Sequence, residues 1–463
     1  MNFQKINLNN LLNLKDIIYS VDTLNACYSL GIIFMWSDYL NHEFYFDKET
    51  LIIKVNYDKE SFFLPFKNIE YGLVLINEYA IKNLKNNLTF VELSIENAMF
   101  LSKIYPHHKY YFIRDWSDYI YSNEDFKNFA GKKYASKRHH ISRFKKLYSE
   151  AVFKVSTSED KNRLLDCINK FINSKHEDDY EFNYEEKASI EMIKNFDKLG
   201  FYAFHIELNG EIIAFSICEI KNNMIIDHVE KALKEYDGVY PYLVNSVANY
   251  FKDIKYFNRE DDSGVSGLRY SKEEYHPIMM IDKYYFEVLN NLDLINKIPT
   301  IKVNTDILIK ELEKEDKEKY KNLVIDDEYN KYWGYDYKTD LKENKPTGDY
   351  FYNSLIIDIN NKESFSFMIY YKNNFAGEIV LYNLDNDNSC EIGYRLVKQY
   401  TKLGIMSSSL KVFINYLFKD LKISKLRVKA YKENTPSINI INLLNFTYLR
   451  SDDIFNYYEL INN

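Results

Sequence analysis

One order of elements occurs twice in this chain, and it constrains the fold more tightly than any count of residues. In "FYAFHIELNGEIIAFSICEI", residues 201–220, two apolar-rich runs flank Asn209-Gly210, a strong two-residue hairpin signal. The strand-like "MIIDHVEKA" follows, then a loop carrying Gly238, the helical run "PYLVNSVANYFKDI" and the strand "KYFNRE". Downstream, "SFSFMIYYKNNFAGEIVLYNLDNDNSCEIGYRLV" reads as three antiparallel strands with turns at 372–374 and 385–389. A loop carrying Gly404 comes next. After it "SSSLKVFINYLFKDL" keeps Leu410, Phe413, Ile414, Leu417 and Leu421 at helical spacing, and "KLRVKAY" reads as a strand. The two stretches do not match residue by residue, so duplicated architecture is the economical explanation and convergence the alternative. Either way the order calls for an α/β (α+β) fold of mixed, mostly antiparallel sheets flanked by helices.

At 463 residues the chain has room for about three units of roughly 150 residues each. Only 7 prolines and 13 glycines punctuate it, so their places carry information. The clearest boundary is "EVLNNLDLINKIPTIKVNTDI", residues 287–307, where a β-type run stops, a polar stretch follows and Pro299 precedes a new alternating strand. The expected division is a first unit over 1–130, a second over 131–290 opening with a basic helix at 131–150, a linker at 291–302 and a third unit over 303–463. In the third unit "ILIKELEKEDKEKYKNLVID" reads as strand, charged turn and helix, "SINIINLLN" as a short helix, and "YLRSDDIFNYYEL" as one final strand.

Hydrophobic residues make up 46% and charged residues 28%, the balance of a globular chain able to build cores. The formal net charge of -8 gives no global attraction to nucleic acid or an anionic membrane, so any such binding must be local. The 43 tyrosines and 31 phenylalanines accompany abundant Asn, Lys and Ile, the set a low-GC coding bias produces, and are no sign of base stacking. Cys27, Cys167, Cys218 and Cys390 lie far apart with neither finger nor redox spacing, which predicts reduced thiols, no metal site and an intracellular protein. The start "MNFQKINLNNLLNLKDIIYS" lacks an apolar signal core, and no uncharged apolar run of about 18 residues occurs. The expectation is a cytoplasmic protein without a transmembrane segment.

Against this acidic background "GKKYASKRHHISRFKKLY", residues 131–148, stands out. Tyr134, Ile141, Phe144 and Tyr148 recur at helical spacing, so one face packs, while Arg138, His139, Lys145 and Lys146 lie off it. Three readings stay open: a nucleic-acid grip, a cradle for an anionic small molecule through Arg138 and Arg143, or a solvated face with snorkelling lysines. Duplex DNA is disfavoured, because no helix-turn-helix or finger signature accompanies the patch.

In the last third, "YNKYWGYDY", "FAGEIVLY", "CEIGYRLVKQYTKLGIM" and "NTPSINIINLLNFTYL" follow in order. A loop opening onto a helix N-terminus offers unpaired N–H groups to a pyrophosphate, and Gly404 would let the backbone approach it without a Cβ in the way. These motifs resemble the GNAT acyltransferases, specifically the branch of the ribosomal-protein N-acetyltransferases, over about residues 303–463. The resemblance implies acetyl-CoA or another acyl-CoA as donor, held by Leu396, Thr401, Lys402, Leu403, Gly404, Ile405, Met406 and Asn434. It implies Glu391 as base toward a primary amine and Ser437 facing the leaving thiolate, with Trp333 and Tyr335 along the acceptor's approach. Glu391 as a satisfied strand carboxylate and Ser437 as a local cap are the structural alternatives. "TKLGIM" keeps only the central glycine of the family's loop: Thr401 stands at its first position, and Met406 brings bulk to its last.

Upstream, "FNREDDSGVSGLRYSKEEYHP" combines Asn258, Arg259, Asp261, Arg269 and Lys272 with two glycines, which suggests a shaped polar pocket. Glu230 and Lys231 on an otherwise apolar strand are costly to bury unless paired, and Glu230 with Arg259 or Arg269 is a natural pair. The functional alternative has Arg269 and Lys272 holding an anion while Glu230 or Asp261 handles a proton. Together with "MWSDYL", "GKKYASKRHHISRF" and "HVEKALKEYDGVYP", this stretch resembles a bacterial family related to the catalytic domain of phosphatidylglycerol lysyltransferases, two fused GNAT-like folds. The resemblance implies three GNAT-like units in a row, with Gly238 and Tyr240 at the second unit's cofactor loop. In such relatives a basic helix joins the two folds and borders the cleft.

Three functions follow as expectations. One is an acyltransferase acting from acyl-CoA on a small-molecule or peptide amine, with an N-terminal tandem of related chemistry. Another is an aminoacyl-tRNA-dependent transferase with a degenerate C-terminal domain. The last is a non-catalytic binding scaffold.

Overall fold

The structure, a computed structural model, describes residues 1–174, 180–341 and 344–462. Three mixed, mostly antiparallel sheets of seven, seven and eight strands, flanked by helices, organise it. The chain condenses into two compact units: Met1–Gly72, Thr89–Ala98 and Tyr110–Tyr285 form one, and Leu73–Leu88, Met99–Lys109 and Phe286–Asn463 the other.

In the first unit, strands Glu43–Asp47 and Thr50–Asn56 pair across a turn whose residues Lys48 and Glu49 both have positive φ, the hairpin geometry that matches strand twist. The second sheet runs Met279–Ile281, Asp118–Ser122, Tyr256–Asn258, Met224–Ala232, Glu211–Lys221, Tyr202–Leu208, Val152–Ser156. Its Asn209-Gly210 hairpin forms as the sequence predicts, with φ of 51° and 83°. Met224–Ala232 and Tyr256–Asn258 are parallel, so helix Val239–Tyr250 must carry the chain back between them. They pair only over Met224–Ile226, and the longer strand runs on alone on that side, leaving a wedge.

The third sheet repeats this plan. Strands Ser364–Tyr371, Asn374–Asp385 and Ser389–Leu396 are antiparallel neighbours. Helix Ile405–Lys419 then leads to the parallel strand Lys425–Tyr431, which pairs with its neighbour only from Ser389 to Glu391. The helix buries Ile405, Met406, Leu410, Phe413, Ile414 and Leu417. Each such side chain contributes about 1.5–3 kcal/mol, which anchors the helix beside the wedge.

Several expected boundaries move. Asp118–Ser122, upstream of the division at 130, lies inside the second sheet, so the first two units are not sequential blocks. The 291–302 stretch is packed structure rather than a free linker: Leu292, Ile295 and Ile298 join the C-terminal core, and Ile301–Lys302 pairs with Ile307–Lys310. The final strand is a hairpin of Thr447–Ser451 and Phe455–Ile461. Asp452 turns it by accepting from the N–H groups of Ile454 and Phe455 at 2.8 and 2.7 Å.

Candidate active sites

Two glycines cap the two crossover helices identically. Gly238 sits at φ 84°, ψ 4° and Gly404 at φ 74°, ψ 3°, a left-handed conformation that glycine adopts without Cβ strain. Their surroundings differ. A Cβ at Gly404 would meet nothing within 4 Å, and Thr401, Lys402 and Leu403 are exposed beside it. The helix behind it has no acidic residue in its first turn, so no carboxylate there opposes an anion at its N-terminus. Met406 does not crowd that loop, contrary to expectation, because its side chain is buried in the core below.

At Gly238 the cradle is filled. A Cβ there would stand 2.3 Å from the His140 carbonyl oxygen and 3.1 Å from the Phe144 Cβ, both on the basic helix Ala135–Leu147. Arg143 pairs with Asp237 at 2.6 Å, and His140 Nδ1 approaches the same carboxylate at 3.3 Å. The expectation that Gly238 and Tyr240 form a cofactor loop is thereby corrected, since Tyr240 spends its hydroxyl on Ala232, 3.2 Å from that N–H. Other residues of the basic stretch are engaged as well. Arg138 donates to the carbonyls of Phe129 and Gly131, Lys133 pairs with Asp125, and Lys137 pairs with Glu274 while lying 4.0 Å from the Tyr275 ring centre. Tyr134, Ile141 and Phe144 are buried, as their spacing predicts.

In the C-terminal wedge, alternation along Ser389–Leu396 sorts the side chains by face. Cys390, Ile392, Tyr394 and Leu396 pack toward the helices. Glu391, Gly393 and Arg395 turn the other way, where Trp333 lies 4.1 Å from the Arg395 guanidinium and within 3.5 Å of the Cβ position of Gly393. Arg395 is held by Glu378, at 2.9 Å from Nε and 2.7 Å from Nη2, and its Nη1 donates to Asn330 at 2.6 Å. Tyr332 meets Tyr431 at 5.5 Å, so this loop spans both strands of the wedge. Tyr335 stands apart, exposed, its hydroxyl donating to Asp340. The Glu391 carboxylate lies near the Tyr382 hydroxyl, whose ionisation is opposed by burial and then by the Glu391 charge. Its Oε2 is buried without a hydrogen-bond partner, and Lys429 Nζ stops 3.8 Å away. A buried carboxylate oxygen with spare acceptor capacity is what a proton acceptor needs.

On the helix side, Asn434 caps Thr435–Leu443 by accepting from the Ser437 N–H at 3.3 Å. The Ser437 Oγ lies 2.8 Å from the hydroxyl of Tyr394, whose ionisation burial pushes up to about 12, the Ser437 hydrogen bond pulling the other way. The sequence reading passed over Tyr394, although the two-residue period from Ile392 already places it on this face.

The N-terminal wedge is polar instead. Glu230 pairs with Arg259 at 3.0 Å, the structural pairing, and Arg259 lies 4.6 Å from the Tyr275 ring centre. Asp227 accepts from Ser216 at 2.8 Å, and burial, then the charge of Glu230, holds its carboxyl well above the usual range. Arg269 belongs to Asp262 and Asp115, at 2.7 and 2.6 Å, rather than to a free anion site. Lys272 is buried and donates to the carbonyls of Arg259 and Asp261, Asn258 binds Asp118 and the Leu24 carbonyl, and Asp261 caps Ser263. Asn258, Arg259, Asp261, Arg269 and Lys272 shape the polar loop, each with a partner, while Arg259 Nη1 is buried without one. His228 bridges Glu219 and Glu260 at 3.0 and 2.7 Å.

Residues 21–287, more than half the chain, match the family described as "Phosphatidylglycerol lysyltransferase, C-terminal". The chain belongs to that family. Residues 306–447 match the acetyltransferase (GNAT) domain, so this lysyltransferase-family chain also carries a domain of the acyltransferase class. A solved structure of a conserved protein of unknown function from Bacteroides thetaiotaomicron covers 62% of this chain and 99% of its own, at 26% identity and a TM-score of 0.57. An uncharacterised protein of Mycoplasmoides gallisepticum is 27% identical over 37% of this chain, and the match spans 56% of that relative's length. Bacillus subtilis YdaF, named among the ribosomal N-acetyltransferases, is 29% identical over 30% of this chain and 76% of its own. Among the described residues no helix is long and apolar enough to cross a membrane.

Proposed function

We propose that the C-terminal domain transfers an acetyl or other short acyl group from acyl-CoA to a primary amine, either a small molecule or a peptide. The open cradle at Gly404, at the wide end of an open wedge, is the observation that carries this reading. Bound acyl-CoA would supply a thioester within the wedge. The exposed N–H groups after Gly404 hold a pyrophosphate there, Leu396 borders the arm that follows, and Asn434 fixes the end of the second helix. Glu391 accepts the proton that the amine nitrogen loses as its C–N bond forms and the C–S bond breaks, and the Ser437 hydroxyl is positioned to protonate the departing sulfur. Trp333, held over Gly393 by the Arg395–Glu378 pair, forms the acceptor's wall.

We propose further that the N-terminal part takes its acyl group from a donor other than CoA, with aminoacyl-tRNA the one its family suggests. The support is the filled cradle at Gly238. Incubating the full chain with acetyl-CoA and a panel of peptides and polyamines, while following thiol release, tests the C-terminal reading. Turnover that falls about a hundredfold in Glu391→Gln supports it, and thiol release indifferent to that substitution contradicts it. Transfer of label from charged tRNA tests the N-terminal reading.

A further inference from the structure

The narrow end of the C-terminal wedge is packed with apolar side chains, and Tyr394 lies among the residues that line it. Beyond the last paired residues, Glu391 and Arg427, the side chains of Ile392 and Val428 turn toward the helices. Leu410 and Ile414 meet them from one helix, Ile441 from the other, and Phe446 from the loop that follows it. The space these residues enclose leaves no room even for a water molecule. Tyr394 covers it from the wedge side. Its ring is tied across the gap by the 2.8 Å hydrogen bond between its hydroxyl and the Ser437 Oγ.

This arrangement has a chemical consequence that rests on the reading of the domain as an acyl-CoA transferase. With the pyrophosphate at Gly404, the donor arm enters at the wide end and its acyl group lies toward the narrow end. An acetyl group needs only the room beside Tyr394. Each further methylene must displace the tyrosine ring or spread a well-packed apolar wall. The wall itself is apolar, so the barrier is bulk and not polarity. We propose that Tyr394 sets the length of acyl group the domain accepts, and that the Tyr394–Ser437 hydrogen bond holds the ring in the excluding position. Tyr394 is thus a specificity-determining residue.

The test is calorimetric binding of free CoA, acetyl-CoA, butyryl-CoA and hexanoyl-CoA to the full chain. In the wild type, free CoA and acetyl-CoA should bind alike and hexanoyl-CoA about tenfold or more weakly, the scale at which a close-fitting apolar pocket discriminates. Tyr394→Ala should shrink that gap to about twofold, because the long chain gains the space of the ring. Tyr394→Phe should leave a gap of a size between these two, since the ring stays but loses the hydrogen bond that holds it. Hexanoyl-CoA binding the wild type as tightly as acetyl-CoA overturns the proposal without recourse to any variant. So does a gap that persists in Tyr394→Ala. Absence of binding by free CoA and acetyl-CoA alike would instead overturn the transferase reading beneath it, and the proposal with it.

Discussion

The helices capped by Gly238 and Gly404 begin with the same backbone conformation, follow the same parallel-strand crossover and stand beside the same kind of wedge. One cradle is open, and the other holds a carbonyl of the basic helix. The wedges differ too: apolar side chains and Tyr394 line one, while Asp227, Glu230 and Arg259 line the other. One architecture thus presents two different surroundings to a ligand, because these lie in what covers the helix terminus and not in the terminus itself. The contrast also answers the question raised by the basic stretch in an acidic chain. Much of its charge is matched by Asp125, Asp237 and Glu274, and its backbone fills the second cradle.

The largest effect is expected where the polar wedge is broken. Arg259→Met strands Glu230 as an unpaired buried charge and should cost about 3–5 kcal/mol by denaturant unfolding, with acyl-CoA affinity untouched. Gly404→Trp comes next: it fills the open cradle and should weaken acetyl-CoA binding about a hundredfold or more by calorimetry. A matched pair of substitutions then isolates the cover. Gly404→Ala bears only the left-handed strain, about 1–2 kcal/mol. Gly238→Ala adds a clash with the His140 carbonyl and should cost about 1–3 kcal/mol more. Equal losses of thermal stability for the two would refute the filled cradle.

How far the sequence disclosed this arrangement depends on the range of the interaction. Both glycine caps, the Asn209-Gly210 hairpin and the two crossover helices were legible, because each is decided by residues within one or two turns of chain. The cover over Gly238 was not, since His140 and Asp237 are 97 residues apart in sequence. Met406 was misjudged for a related reason: its position suggested the loop, but the helical phase set by Leu410 and Phe413 turns it into the core. Asp118–Ser122 falls within the unit expected over 1–130 but pairs in the second sheet, because nothing local marks a strand's partner. Glu391 and Ser437 came from family resemblance, and Tyr394 was missed although simple alternation puts it beside them.

A subtler difference between the wedges follows pH. Burial alone would lower the His228 imidazolium, but hydrogen bonds to Glu219 and Glu260 hold it up at about 9. A raised pKa contributes stability that is complete below the unfolded value of 6.5 and lost as pH rises through about 9. The melting-temperature advantage of wild type over His228→Gln should therefore be full near pH 6 and shrink by pH 10. An advantage independent of pH would mean that His228 is buried neutral. Smallest of all, Asp237→Asn removes the half-exposed ion pair with Arg143 and the His140 contact and should cost less than about 1 kcal/mol, because packing rather than charge holds the basic helix over Gly238.

The stoichiometry of acetyl-CoA binding to the full chain tests the central contrast most directly. Calorimetry should give a single site per chain, abolished by Gly404→Trp and preserved in Gly238→Ala. Two sites per chain, or one that survives Gly404→Trp, would contradict the account by placing acyl-CoA where the basic helix is argued to exclude it.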